Sequence, residues 1–544
     1  MNADRAPLEQ TEKHAARFSF HFEGVYDVIS LQPIPPMKMR SFAFPVCIHS
    51  LILLPLQLAV AQGPLTPPGP PAPSMKTLDQ IEPRTPISSV PYTITNAGSY
   101  YLTSNLFSGI FGGNGIIIKA DNVSLDLNGF SLSAGPIFFG GLPGAGVNVP
   151  SPQQNISIRN GTVSGWRIAG VQASAASNSR LDHLRASGNG GAGLAIGSGG
   201  TVRSCVCSAN GGGGILAGKD TLIAACSAAG NHLDGIKTLG GGLVNHCTAS
   251  GNTNAGVLVG DGSSVGGCTA RANGSDGIST GAGCTVANCV AAGNNAVGIL
   301  LSSNCTVTAC SAFDNQGGVI VGGIDCGDGC VVRDCASAGT AVGVGIITGQ
   351  ACSVIGCTAR NNNLSGIFVS GEGSTVKNCV VSENHAAGIY AVFYCTVSGC
   401  SARTNDFDGV QVSPGSLVEN CACSENGLDG IGADSGCTVT GCVVARNGRD
   451  GIEVAGNCIA ARNHSSDNTG DGIKAVGQAN RLEDNQVFGN QGNGIGVDGA
   501  NLANVIIKNK ARFNISGDYG NLSGNTDYAP VATPATAVNP FSNF

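Results

Sequence analysis

Apolar residues alternate with variable ones in short bursts along this chain, and the bursts recur. Val257-Leu258-Val259, Ile367-Phe368-Val369, Val410-Gln411-Val412 and Ile452-Glu453-Val454 each put two aliphatic residues on one side of a middle residue that is free to vary. An alternation of period two marks a strand with one buried face. A glycine precedes each burst, and the numbers of most successive glycines differ by 21, as 235 minus 214 and 256 minus 235 show. Asparagine stands four positions before the glycine in thirteen of the sixteen repeats between Gly170 and Gly494. Two further motifs share the period: Cys-Thr-Val at Cys284, Cys305, Cys395 and Cys437, and Cys-x-Ala at Cys289, Cys310 and Cys400. Each reads as another short strand, with Asn and Gly turning the chain back, since Asn tolerates left-handed backbone geometry and Gly has no Cβ to clash.

Three short strands and three bends per repeat predict an all-β solenoid, a right-handed parallel β-helix of about 16–18 coils of about 21 residues. No window holds a helical period, and glycine is too frequent for helices. Propeller blades need about 40 residues, and the hexads of left-handed β-helices, about 18 per coil, are missing. Residues one coil apart then stack about 4.8 Å apart, so sixteen coils span roughly 75 Å. Each coil buries its apolar side only against its neighbours, so both ends need caps. The expected organisation is a cap with the first coils over 77–160, regular coils over 161–508, and a C-terminal cap and tail over 509–544.

Three segments carry a resemblance: Asn122-Val-Ser-Leu-Asp-Leu-Asn-Gly129, Ile158-Arg-Asn-Gly-Thr-Val163, and the Asn-x-x-x-Gly-Ile coils. They resemble right-handed parallel β-helix repeat proteins of the pectate-lyase-like superfamily, over about residues 90 to 515. The resemblance implies the fold strongly and an activity only weakly, because that fold carries lyases, hydrolases, epimerases, adhesins and tailspikes.

The start of the chain points to export. Met37-Lys-Met-Arg40 is basic, 42–60 is mostly apolar, and Ala59-Val60-Ala61 is a small-x-small cleavage site. That is the plan of a signal peptide over 37–61. His49, Ser50, Pro55 and Gln57 interrupt the stretch, which argues against a membrane span, so none is expected in the mature chain. Residues 1–36 read as an extension outside the folded protein, with translation starting at Met37 or Met39. Six prolines between Pro64 and Pro73 make 62–76 an extended linker. The expected location is secreted, periplasmic or cell-surface. Net charge is −7 and no basic run stands out, so nucleic acid is not the expected partner.

Twenty-two cysteines follow Cys47, an invitation to disulfides in an exported protein. Their geometry argues otherwise. Cys205, Cys226, Cys247, Cys268, Cys289 and Cys310 recur with the period of the glycines, and Cys400, Cys421 and Cys442 continue the same column. Stacked neighbours have Cβ atoms about 4.8 Å apart, whereas a disulfide wants about 3.8 Å. Buried columns of free thiols are the reading taken, with some disulfides as the alternative.

Candidate chemistry lies in the outward columns. Asp408, Asp429, Asp450 and Asp471 precede the glycine in four successive coils. Either each caps its own turn and points into water, or together they bridge calcium, a hard cation that wants several oxygens. Glu425, Arg446 and Asp467, and likewise Glu453 and Lys474, alternate in sign one coil apart. Phe368 and Tyr390, about one period apart, would sit on neighbouring coils as a flat platform for a sugar ring. The step from Gly318 to Gly345 is 345 minus 318, or 27, and its excess is assigned to a bulge at 322–329 carrying Asp325, Cys326 and Asp328. Such excursions are where binding residues concentrate. Leu181-Asp182-His183 is too short an echo of a lyase segment to carry a catalytic role. The leading expectation is a structural or binding rod that recognises polysaccharide or a cell-surface component. The alternative is a polysaccharide lyase, hydrolase or epimerase. No cofactor other than calcium is a candidate.

Overall fold

The computed structural model describes residues 83–109, 113–135, 144–317, 321–498, 503–522, 525, 527–528, 532 and 539–543. The expected extension at 1–36, signal peptide at 37–61 and linker at 62–76 lie outside the described residues. Everything described lies in the unit Met75–Phe544 and forms a parallel β-helix. Among the described residues no helix is long and apolar enough to cross a membrane.

Each coil contributes one strand to each of three parallel sheets. In one coil these are Ile278–Thr280, Thr285–Ala287 and Val290–Ala292. The next coil repeats them in register, with Ile278 beside Ile299, Val286 beside Val307 and Ala291 beside Ala312. The first sheet has 20 strands, so the solenoid has more coils than the expected 16–18. Three of the added coils begin at Tyr92–Ile94, Ile116–Ile118 and Val147–Asn148, and a fourth at Gly517–Gly520. Their spacing hides them: Tyr92 pairs with Ile116 and Ile116 with Val147, both steps longer than the regular period. The second and third sheets merge through Ser157–Ser164 and Arg180–Ser187, eight-residue strands that continue through the bend.

The alternation in sequence becomes an inside and an outside. In the first sheet the flanking residues point inward, as for Val410, Val412 and Ile452 (all at most 1% exposed), while Gln411 is exposed. In the other two sheets the middle residue is buried, as for Val286 and Ala291. Burying a branched aliphatic side chain contributes about 1.5–3 kcal/mol, and every coil repeats the gain.

The corners are built differently from the expectation. The repeated asparagines are not the left-handed residues. The residue before each one is, as at Ala209, Ala272, Glu383 and Arg446 with φ of 50°, 50°, 57° and 56°. The asparagines themselves are fully buried and form a ladder. The amide N–H of Asn273 donates to Asn294 Oδ1 at 3.1 Å, and Asn273 Nδ2 donates to the same oxygen at 2.9 Å. The following glycine leaves room for this ladder, since a Cβ on Gly256 would lie 2.6 Å from Asn273 Nδ2.

All 22 cysteines after Cys47 are buried and free. Apart from Cys207, Cys326 and Cys423, which lie on strands, they are more than small hydrophobes, because they occupy the ladder position at the other two corners. The N–H groups of Cys268 and Cys289 donate to the sulfur one coil on, each at 3.4 Å. Where the thiols end, asparagine resumes: Cys442 N–H donates to Asn463 Oδ1 at 2.9 Å, and Cys458 N–H to Asn480 Oδ1 at 2.8 Å.

Candidate functional site

The middle residues of the first sheet form one outward column. Register places Asp325 beside Ile347, Ile347 beside Phe368, Phe368 beside Tyr390, and Tyr390 beside Gln411. Phe368 and Tyr390 stack with ring centroids 5.3 Å apart and planes 20° apart, both half-buried. The two rings lie on neighbouring coils, as their spacing predicted.

The expected bulge at 322–329 is not. Gly322–Cys326 is a five-residue strand of the first sheet, Asp325 faces outward on it, and Cys326 is buried. The glycine equivalent to Gly298 is Gly323, because Ile299 pairs with Ile324. The extra residues therefore lie between Asn315 and Gly323, which are eight apart where Asn294 and Gly298 are four apart. Residues 318–320 of that insertion are outside the described residues. Taking Gly318 rather than Gly323 as the repeat glycine placed the excess too late. The insertion still reaches this face. A Cβ on Gly322 would lie 3.2 Å from Ile347 Cγ2, and Ile347 is only 7% exposed although it points outward. Asp325 thus shares the aromatic column, two coils from Phe368. Asp328 does not: it is exposed at the corner, where its Oδ1 accepts the Gln350 N–H at 2.9 Å.

The aspartate column borders the same sheet, and it corrects a second expectation. Asp408, Asp429 and Asp450 do not point into water, being 8%, 1% and 4% exposed. Each accepts a backbone N–H from the next coil: Asp429 to Asp408 at 3.0 Å, Asp450 to Asp429 at 2.9 Å, Asp471 to Asp450 at 2.6 Å. Asp471, half-buried, accepts from Asn493 at 2.6 Å. In these coils a carboxylate supplies that acceptor at the cost of burial, where other coils hold Ala255, Val297 or Ala387 at the same position. Cations offset part of that cost on diagonals rather than between Glu453 and Lys474. Arg449 binds Asp429 and reaches Glu453 at 3.4 Å, and Lys474 reaches Asp450 at 3.8 Å and Asp498 at 3.2 Å. Glu425 is held by Arg403 at 2.9 Å and Arg446 at 3.2 Å. Among the described residues no three His, Cys, Asp or Glu side chains converge so as to hold a metal ion.

The two candidate sets meet in a cavity of about 410 Å3 lined by Tyr390, Phe407, Asp408, Gln411, Leu428 and Arg449, with Ser365, Ala386 and Ala387. Burial, then the charge of Asp429, lifts the Asp408 carboxyl from 3.8 to about 6, against the pull of Arg449. Burial does the same to Asp450, and burial with the charge of Asp276 does it to Asp325, each to about 6. A second groove, about 640 Å3, lies further along the first sheet against Lys219, Lys237, Leu239 and Leu258. It has no aromatic wall, and Lys237 is paired with Asp234 at 3.7 Å.

Phe407 and Arg449 were not singled out from the sequence, although a signal existed. Between Asn189 and Asn490 there are seven aromatic residues, and five of them, Phe368, Tyr390, Phe393, Tyr394 and Phe407, fall within 40 positions. Phe393, Tyr394 and Phe407 are 49%, 66% and 50% exposed.

Comparison with known proteins gives one family. The model of the right-handed beta helix region matches residues 216–335, 241–407, 342–464 and 391–528, together 313 of 544 residues. No curated protein matches. Among solved structures, a mutant of the periplasmic alginate epimerase AlgG aligns at 13% identity over 57% of this chain and 75% of that one, with a TM-score of 0.32. Pectate lyase Pel9A aligns at 15% identity over 43% and 74%, with a TM-score of 0.31. The Dettilon tailspike protein aligns at 13% over 53% and 61%, with a TM-score of 0.30.

Proposed function

Because this chain belongs to the right-handed β-helix family, whose fold fixes no chemistry, we propose that it is an exported binding solenoid that recognises polysaccharide on the outer face of its first sheet. One observation carries the reading. Tyr390, stacked on Phe368, lines the cavity together with Phe407, Asp408 and Gln411. Flat aromatic faces meet the C–H face of a sugar with little loss of conformational freedom, and fixed polar groups beside them pair with hydroxyls. The cavity falls within the usual range of about 300–1,000 Å3 for binding sites. The basic, apolar and small-residue sequence at 37–61 supports export.

The test is a glycan array with the full chain, followed by titration of the best ligand. Phe368→Ala with Tyr390→Ala is expected to leave the melting temperature unchanged and weaken binding at least about tenfold. Unchanged affinity would overturn the reading.

A second reading, a polysaccharide lyase, hydrolase or epimerase, is favoured by the Asp408 carboxyl at about 6, near enough to neutrality for proton transfer. Release of shortened or unsaturated sugars, lost in Asp408→Asn, would put that reading in place of the first.

A further inference from the structure

Charge is spread very unevenly along the solenoid. Residues 401–500 hold 13 Asp and Glu against 6 Lys and Arg, a net of −7. That equals the net charge of the whole chain, so the rest of the sequence is balanced. Of these carboxylates, Asp408, Asp429, Asp450, Glu453 and Asp471 lie on or beside the first sheet, and Glu419, Glu425, Asp467 and Glu483 on or beside the other two.

Within the cavity the same imbalance holds at close range. Asp408 is 8% exposed and lines the cavity, and one of its oxygens takes the Asp429 N–H. No cation stands within ion-pair distance of it among the described residues. Arg449 shares the cavity, but its guanidinium lies on Asp429 and Glu453. A buried carboxylate without a counter-ion is costly, and a ligand cation that supplies one is bound preferentially. Aromatic walls add to this, since an ammonium group beside Tyr390 and Phe407 is attracted by the ring faces. A uronic-acid polymer would instead bring like charge to a carboxylate floor.

Resting on the glycan reading above, we propose that the cavity selects sugars bearing a free, protonated amine, as in a glucosamine polymer, with the ammonium on Asp408 and the ring against Tyr390 and Phe407.

The experiment uses the full chain and three hexamers of equal length: glucosamine, N-acetylglucosamine and galacturonate. Calorimetry should show glucosamine binding at least about tenfold tighter than either of the others. Asp408→Asn keeps a carbonyl oxygen for the Asp429 N–H, so the fold should persist by circular dichroism. It should reduce the preference for glucosamine over N-acetylglucosamine to less than about threefold. Phe407→Ala should weaken both of these sugars by similar factors, a check that does not depend on Asp408. Equal affinity for the free and acetylated amines, or a preference that survives Asp408→Asn, would overturn amine selection and leave the glycan reading standing. So would a hexalysine peptide binding as tightly as the glucosamine hexamer, since charge alone would then suffice. If no hexamer binds and Phe368→Ala with Tyr390→Ala leaves the array unchanged, the glycan reading falls, and amine selection with it.

Discussion

Asp450 shows how one residue serves the fold at an electrostatic cost. Its Oδ1 accepts the Asp471 N–H from the next coil, while burial raises its carboxyl from 3.8 to about 6. A carboxyl raised on folding binds its proton more tightly in the native state. Between pH 4 and 6 the unfolded chain therefore holds fewer protons than the native one, and stability falls as pH rises through that window. Asparagine at this position would still accept the N–H and would not ionise. Asp450→Asn is expected to raise stability at pH 7 by on the order of 1–3 kcal/mol and to flatten the loss between pH 4 and 6. Thermal melts of both chains across that range check it, and lower stability of the variant at pH 7 would show that the charge is needed for Lys474. In the sequence this aspartate was visible as part of a column. Its burial was not, because nothing local distinguishes a turn residue facing water from one facing the next coil.

The elements of this protein are mostly three-residue strands, too short to persist alone, and the corners hold them in register. Asparagine, cysteine and serine are interchangeable there because each can accept an N–H from the neighbouring coil. Cys352 N–H donates to Ser374 Oγ at 2.9 Å where other coils use sulfur. The accepting atom is therefore the requirement, and sulfur is not. Cys289→Ser should change the melting temperature little. Cys289→Val, similar in volume but with no acceptor, should cost about 1–3 kcal/mol by leaving the Cys268 N–H unpaired. Equal effects of the two substitutions would mean that the thiol contributes through packing alone. The constant period made the columns legible, and the inward placement of Val412 and Ile452 with Gln411 outside followed from alternation. The insertion was misplaced because Gly318 and Gly323 both fit the motif, and only the pairing of Ile299 with Ile324 identifies Gly323 as the repeat glycine.

At the scale of the whole molecule, one continuous core runs through 20 stacked coils, and every cysteine after Cys47 faces it or lines its corners. The native protein is expected to resist alkylation. After unfolding without reductant all 22 of these cysteines should label. Mass spectrometry counts the adducts, and a count well below this in denaturant would mean that the protein forms disulfides. The sequence by itself determined the repeat, the strand alternation and the stacking of residues one period apart, because a solenoid turns sequence spacing directly into neighbourhood. It also set Phe368 beside Tyr390 and the four aspartates in a line. It took the folded coils to show that Tyr390 and Asp408 line one cavity, that Asp325 shares the aromatic column while Asp328 does not, and that Arg449 is already held by Asp429. Those relations run across coils and around corners, where position depends on bend geometry and coil length rather than on the period.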